Sequence, residues 1–251
     1  MPEFTLNRFA SFDGTGLAWH EAGEGRPVVL LHGLFSNAQT NWVRYGHAKL
    51  LVNNHFRVVM PDLRAHGESA KPHEVKGFPV DVLTQDCLSL IAHLGLTDYD
   101  LGGYSLGART VARAVVRGAK PQRLILSGMG LSGMTNTTPR TEHFKYILDN
   151  RGTFERFTPE WNADSFLKTT RGDSESLRLL LDTFVDTSVE DLGAITMPTL
   201  VLSGAEDDDN GSVDDLAAIL PAATLVRTPG AHMSAVTKPE LGQAITDFLT
   251  A

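Results

Sequence analysis

Six short apolar segments are the feature of this sequence that most constrains its fold. They are PVVLLHG at 27–33, RVVMPDL at 57–63, YDLGGYS at 99–105, RLILSG at 123–128, PTLVLSG at 198–204 and ATLVRTPG at 223–230. Their apolar residues are consecutive rather than alternating with polar ones, which is typical of strands buried on both faces of a parallel sheet. The sequence therefore predicts a central, mostly parallel sheet.

Helical patterns separate or follow several of these segments. Apolar residues recur at the spacing of one helix face at 83–94, 111–115 and 241–249. Strands that alternate with helices form right-handed crossover units, with helices packed on both faces of the sheet. We therefore expect an α/β fold. Before it, Phe4–Phe12 and Leu17–Glu21 predict a hairpin around the turn DGTG at 13–16.

The alternation of strands and helices is interrupted between about Met129 and Gly193. Loop residues open this stretch, and a helical pattern follows them in which one face is shared by Leu177, Leu180, Leu181, Phe184 and Val185. We expect a helical cap at 129–193, inserted between core segments 1–128 and 194–251. An apolar face suits a lid over a pocket. The alternative is a helical excursion with no role in binding.

Composition narrows the class of protein. The chain has 251 residues, of which 42% are hydrophobic, and a formal net charge of −8. We expect one sizeable core and a surface that repels nucleic acid and anionic membranes. Cys87 is the single cysteine, so no internal disulfide forms. With no signal-like or membrane-spanning apolar run, a cytoplasmic location is expected. The oligomeric state is left open.

The segment Gly103-Tyr104-Ser105-Leu106-Gly107 carries the strongest chemical signal. It matches G-x-S-x-G, with a predicted strand before it and a predicted helix after it. A serine at such a junction lies on a sharp turn with its hydroxyl exposed, and the helix N-terminus favours nearby negative charge. The sequence therefore predicts Ser105 as a nucleophile. The alternative is a chance match in a glycine-containing turn.

A second signal follows the first apolar segment, at His32-Gly33-Leu34. The loop after a central strand supplies one backbone N–H of an oxyanion hole in this arrangement, and the residue after the nucleophile supplies the other. We expect the N–H groups of Leu34 and Leu106 in these roles. The side chain of His32 is expected to be structural.

A serine needs an adjacent base, and the base needs an orienting carboxylate. His232 lies between the last predicted strand and the closing helix, whereas the other histidines fall on strands, on helices or in exposed-looking segments such as that of His47. Asp207 lies in the acidic loop after PTLVLSG, at the same edge of the predicted sheet. The expected catalytic triad is Ser105, Asp207 and His232, with Glu206 or Asp208 as alternatives to Asp207.

The segment GMGLSG at 128–133 matches the glycine spacing of a dinucleotide-binding turn. Such a turn should open a helix at once, in the first crossover unit of a sheet. Here TNTTPR follows, in a late unit, so we interpret the match as coincidental. No metal-binding or phosphate-binding motif is present, and we expect no cofactor and no metal.

Taken together, these segments resemble the α/β-hydrolase superfamily, in its compact, cap-bearing, serine esterase-like group. The matching pieces are VVLLHGL at 28–34, MPDLRAHGES at 60–69, GGYSLG at 102–107, MPTLVLSGAEDD at 197–208 and TPGAHM at 228–233. The resemblance implies the same triad and oxyanion hole. It also implies that the turn at 62–69, including His66, is structural. Ala65 and Ala231 stand where the family usually has glycine.

The expected activity is hydrolysis of a small to medium, largely apolar carboxylic ester through an acyl-enzyme intermediate. One alternative is hydrolysis of a lactone or a carbon–carbon bond. Relatives that cleave carbon–carbon bonds often have tryptophan after the base histidine, where this chain has Met233. A second alternative is a non-catalytic receptor for a small molecule, because fold does not determine function.

Overall fold

A single eight-stranded sheet forms the centre of the molecule. The computed structural model describes residues 3–251. Its strands are β1 Thr5–Ala10, β2 Gly16–Ala22, β3 Arg26–Leu31, β4 Phe56–Asp62, β5 Asp100–Tyr104, β6 Leu124–Ser127, β7 Thr199–Gly204 and β8 Ala223–Thr228. They lie in the order β1-β2-β4-β3-β5-β6-β7-β8. β2 is antiparallel to β1 and β4, and the remaining neighbours pair in parallel. The predicted sheet is confirmed.

Helices cover both faces of this sheet. They are α1 His47–Asn53, α2 Val82–His93, α3 Leu106–Val116, α4 Leu131–Thr135, α5 Thr138–Asp149, α6 Pro159–Thr169, α7 Ser174–Leu181, α8 Val189–Gly193, α9 Val213–Ile219, α10 His232–Ala235 and α11 Pro239–Thr250. A π-helical turn at Gln39–Val43 and a 3₁₀ turn at Val75–Gly77 complete the helical elements of the described residues.

The consecutive apolar runs are explained by two cores, one on each face of the sheet. Successive side chains of a strand point to opposite faces. In β3, Val28 and Leu30 therefore join the core beneath α1 and α11, whereas Val29 and Leu31 join the core beneath α2 and α3. All four are fully buried. An alternating pattern would have left one core without its apolar side chains.

Helices α4–α8 lie between β6 and β7, and no strand occurs among them. The helical character predicted for this stretch is observed, while its division from the core at 128/129 and 193/194 stays a prediction. One detail of the prediction is wrong, because Phe184 and Val185 lie beyond the end of α7. Thr183 ends that helix by donating its hydroxyl to the carbonyl of Leu180 (2.8 Å).

The glycine motif at 128–133 does open a helix, α4, contrary to the expectation from TNTTPR. That helix has only five residues. Gly130 lies against the loop after β7, where a Cβ atom would come within 2.0 Å of the carbonyl oxygen of Gly211. Close backbone packing therefore accounts for this glycine. No helix of residues 3–251 is long and apolar enough to cross a membrane.

Candidate active site

Ser105 lies at the junction of β5 and α3, with φ 54° and ψ −115°. A non-glycine residue with positive φ is strained, and such strain is typical of functional sites. Its backbone N–H donates to the carbonyl of Ser127 (2.7 Å), which fixes the turn against β6. The hydroxyl is thereby held at the carboxyl edge of the sheet, as predicted from G-x-S-x-G.

His232 approaches Ser105 from the start of α10, the short helix after β8. Its Nε2 atom is 3.0 Å from Oγ of Ser105, and its Nδ1 atom is 2.9 Å from Oδ2 of Asp207. The His232 side chain is 9% exposed, so little solvent competes for its hydrogen bonds. The structure therefore brings together the three side chains that the sequence suggested.

Asp207 is the one acidic residue of its neighbourhood that contacts the imidazole. It is buried, whereas Glu206 and Asp208 are exposed. Burial by itself would raise the pKa of the Asp207 carboxyl, but the hydrogen bond from His232 and the proximity of that ring lower the pKa below its usual value. Asp207 is therefore ionised at neutral pH.

The protonation pattern of the neutral imidazole follows from this contact. An ionised carboxylate can only accept hydrogen bonds, so Nδ1 carries the proton and donates to Asp207. Nε2 is then the acceptor for the Ser105 hydroxyl. This is the arrangement in which a histidine can remove a proton from serine.

Tyr104 fixes the loop that carries the imidazole, and the sequence analysis did not identify this role. Its buried hydroxyl donates to the backbone carbonyl of His232 (2.5 Å). Its ring also lies against the imidazole, with the ring centres 5.5 Å apart. The residue beside the serine therefore helps to position the residue that contacts the serine. Its location within G-x-S-x-G was the only available signal.

The loop after β3 passes beside Ser105 and carries Leu34. Asn41 fixes this loop by accepting a hydrogen bond from the Gly33 N–H (3.1 Å) at its side-chain oxygen. Leu34, Ser105 and Leu106 line a common cavity. Within residues 3–251 the N–H groups of Leu34 and Leu106 have no acceptor. Both are therefore available to a ligand oxygen. Asn41, which fixes the loop of Leu34, is after Tyr104 the second supporting residue that the sequence analysis did not identify.

Two buried histidines support the same loop from below. His66 Nε2 accepts from the Phe35 N–H (3.3 Å), and His32 Nε2 accepts from the Leu63 N–H (3.0 Å). Burial lowers the pKa of both rings, that of His66 to about 3. Both side chains are therefore neutral at pH 7. Their contacts agree with the structural roles expected for them.

The burial of His47 differs from the exposed position expected from the sequence. It is 1% exposed rather than on the surface, and its Nε2 atom is 2.7 Å from the carbonyl oxygen of Val236. It lies at the start of α1, where that helix packs against α11. Burial lowers its pKa. Its partner is backbone, and it makes no contact with Ser105.

Two cavities meet at Ser105. The first encloses about 400 Å³ with its open mouth, and its lining includes Leu34, Leu106, Arg109, Arg140, Phe144 and Phe184. The second encloses about 590 Å³, and its lining includes Tyr45, Phe166, His232, Met233 and Val236. Phe144 of α5 and Phe166 of α6 show that helices between β6 and β7 contribute walls to both cavities.

Residues 3–251 contain no cluster of three or more His, Cys, Asp or Glu side chains that could hold a metal ion. Cys87 is buried, and burial raises its pKa to about 12. Its thiol therefore stays protonated, which leaves Ser105 as the side chain with the contacts of a nucleophile.

Comparison with known proteins defines the class to which this site belongs. Residues 28–241 match the model of the Alpha/beta hydrolase family. The chain belongs to that family. The match includes Ser105, Asp207 and His232 and extends from β3 into α11.

Three of the similar proteins share 23–27% sequence identity with this chain. A non-heme haloperoxidase from Rhodococcus erythropolis is 27% identical over 227 residues, covering 78% of this chain and 80% of the relative. An esterase from Thermogutta terrifontis has 24% identity and a TM-score of 0.78, with 98% of each chain covered. A hydrolase from Pseudomonas aeruginosa PA01 has 23% identity and a TM-score of 0.77, with 98% and 99% covered. At these identities the two structures establish the fold alone.

Proposed function

We propose that this α/β hydrolase is a serine esterase that uses Ser105 as nucleophile, His232 as base and Asp207 as the group that orients the base. The observation that carries the proposal is the continuous chain of contacts from Asp207 through His232 to the Ser105 hydroxyl. The match to the Alpha/beta hydrolase family supports a hydrolytic reaction.

The reaction proceeds in two halves. Ser105 attacks the ester carbonyl while His232 accepts its proton, and the carbonyl oxygen becomes an oxyanion held by the N–H groups of Leu34 and Leu106. His232 then protonates the departing alcohol, leaving an acyl-serine. Water attacks this acyl group with His232 again as base, and the acid is released with Ser105 restored.

Asp207 contributes without exchanging a proton. Its carboxylate holds Nδ1–H of His232, so that Nε2 faces the serine, and it stabilises the imidazolium formed in each half-reaction. The charge held by the two N–H groups develops only when the serine attacks the carbonyl, and removal of one such donor typically costs about 10²–10³-fold in kcat. The apolar side chains of the first cavity suit a small to medium, largely apolar substrate.

The test is hydrolysis of p-nitrophenyl acetate, butyrate and octanoate by the wild-type protein and by Ser105→Ala. We expect wild-type turnover that ranks the acyl lengths, and a loss of about 10³-fold or more in the variant because the attacking atom is gone. Ser203→Ala is the matched control, since Ser203 is buried at the end of β7 and its hydroxyl has no partner within residues 3–251.

The control should keep wild-type activity. Turnover by Ser105→Ala close to that of wild type would contradict the proposed nucleophile. Tight retention of a small molecule without turnover by wild type would instead favour the receptor alternative.

A further inference from the structure

Arg109 is a buried cation that the proposed reaction does not use. It lies on α3 one helical turn after Ser105, and its backbone N–H donates to the Ser105 carbonyl (3.1 Å). Its side chain is 9% exposed and lines the first cavity together with Ser105, Leu34 and Leu106. A fixed positive charge therefore stands in the wall of the cavity that contains the proposed nucleophile.

The guanidinium of Arg109 has no anionic partner of its own within residues 3–251. The acids whose charges act on it are Asp81 and Asp186, and both raise its pKa. Asp81 is paired with Nε of Arg113 (2.7 Å), and Asp186 accepts a hydrogen bond from the Thr137 N–H (2.8 Å). Burial of an unpaired charge is costly, and such groups are concentrated at functional sites.

The geometry of the guanidinium suits a planar anion. Arg109 stacks on Phe184, with Cζ 3.9 Å from the ring centre, so that ring covers one face of the group while the N–H edges remain free for hydrogen bonds. Burial lowers its pKa to about 10, and it stays protonated at neutral pH. The paired N–H groups of arginine match the two oxygens of a carboxylate.

Among the charged side chains that line the first cavity, Arg109 is the one free to bind an anion. No acidic side chain is among the lining residues. Arg140 lines the same cavity, but it is paired with Asp209 (2.9 Å). The alternative is that Arg109 serves only to pack against Phe184, and the experiment below separates the two.

The position of His232 tells which part of a substrate would meet Arg109. The base must protonate the departing alcohol, so the alcohol occupies the second cavity, which His232 lines. The acyl group then occupies the first cavity, which contains Leu34, Leu106 and Arg109. An anion bound by Arg109 therefore belongs to the acyl half.

We propose that the acyl group of the substrate ends in a carboxylate that binds Arg109, so that the preferred substrates are monoesters of short dicarboxylic acids. This inference rests on the proposed esterase function and narrows it. The apolar walls hold the methylene chain, and Arg109 selects its charged end.

The experiment compares monoethyl succinate, glutarate and adipate with the neutral esters of equal chain length, ethyl butyrate, pentanoate and hexanoate. Hydrolysis is followed by acid release at constant pH. We expect the best monoester to exceed the neutral ester of equal chain length in kcat/KM by about 10- to 100-fold, the range of a hydrogen-bonded ion pair. In Arg109→Met this ratio should fall to about 1, and Arg109→Lys should retain part of it, because a charge remains without the paired donors.

Two matched controls remove arginines that are already paired. Arg178→Met removes an arginine of α7 that is paired with Asp149 and Asp182 (3.3 Å each), and Arg140→Met removes the paired arginine of the first cavity. Both should keep most of the wild-type ratio. A ratio that falls in Arg140→Met and not in Arg109→Met would overturn the assignment. So would an unchanged ratio in a folded Arg109→Met protein, which would leave Arg109 a packing residue.

A binding measurement distinguishes a failure of this inference from a failure of the proposed function. Glutarate dianion should bind to Ser105→Ala, measured by calorimetry. The additional Arg109→Met change should weaken this binding at least tenfold, and Arg109→Lys should weaken it less. Cleavage of neutral esters with no response to Arg109 would refute the inference and keep the esterase. Binding of glutarate through Arg109 without cleavage of any ester would refute the esterase and keep the anion site. If glutarate does not bind and no ester is cleaved, the inference and the esterase function are both refuted.

Discussion

At the scale of single residues, Asp207 is the buried member of a run of four acidic residues, 206–209. The sequence placed this run at the carboxyl edge of the sheet, but spacing alone could not separate Asp207 from Glu206 and Asp208. The distinction depends on how the loop after β7 turns. The Asp207 N–H donates to the carbonyl of Gly204 (3.1 Å), and this turn directs the Asp207 side chain inward to His232 while its neighbours face solvent.

Replacement of Asp207 by asparagine should lower kcat for ester hydrolysis by about 10³–10⁴-fold, because the amide can donate to Nδ1 and so favours the wrong imidazole tautomer. Steady-state kinetics on p-nitrophenyl butyrate would measure this. Glu206→Gln and Asp208→Asn are the matched controls, and both should stay within a few fold of wild type. Equal losses in all three variants would show that the charge of the loop matters rather than the contact.

Arg109, Tyr104 and Asn41 mark the limit of prediction at this scale. Arg109 contributes through a contact with the distant Phe184, and Tyr104 through one with the distant His232. Asn41 contributes through the Gly33 N–H of its own loop. No local pattern encodes these contacts, since they depend on how loops cross the sheet edge. The proposed nucleophile could be identified from the sequence because its motif is local, whereas the residues that support it could not.

At the scale of elements, the close contact between α3 and β3 determines where Ser105 is held. Gly107 begins this contact, and a Cβ atom there would lie 2.2 Å from the carbonyl oxygen of Leu31 and 2.8 Å from that of His32. Both obstacles are backbone atoms at the base of the loop that carries Leu34. They cannot be relieved by a side-chain rotation, so any larger residue must displace α3 or that loop.

Gly107→Ala should therefore destabilise the protein by about 3 kcal/mol or prevent folding, in line with the cost of severe overpacking. The free energy of unfolding in urea would measure the change. Gly16→Ala is the matched control, because a Cβ atom at Gly16 meets nothing within 4 Å. A Gly107→Ala protein with wild-type stability and activity would contradict the importance assigned to this contact.

At the scale of the whole molecule, the apolar runs and helical patterns were sufficient to predict the sheet, its mostly parallel pairing and the helices on both faces. These features follow from burial, which the sequence records residue by residue. The shape of the segment between β6 and β7 was harder to predict from the sequence. Its helices are short, and the end of α7 depends on hydrogen bonds of Thr183, including its N–H to the carbonyl of Leu180 (3.0 Å).

The buried neutral histidines predict an acid-sensitive fold. The pKa of His66 is about 3 in the folded protein, below the ordinary value of 6.5. The unfolded chain therefore binds a proton that the folded protein does not, and stability falls as the pH drops from 6.5 towards 3. For His66 the loss between pH 7 and pH 5 is about 2 kcal/mol.

Urea unfolding at pH 7 and pH 5 would test this, with His66→Gln losing about 2 kcal/mol less than wild type between the two pH values. Gln can still accept a hydrogen bond from the Phe35 N–H but has no titrating group. His55→Gln, a change of an exposed histidine, should behave as wild type. An equal loss in wild type and His66→Gln would show that His66 is not the source of the acid sensitivity.

The central claim is that Ser105 is an activated nucleophile. The most direct measurement is treatment of the native protein with a fluorophosphonate, followed by mass mapping of the modified peptide. We predict a single stoichiometric adduct on Ser105 that is absent from Ser105→Ala and formed much more slowly by Asp207→Asn. A native, folded protein that gains no adduct, or gains it on another residue, would contradict the account.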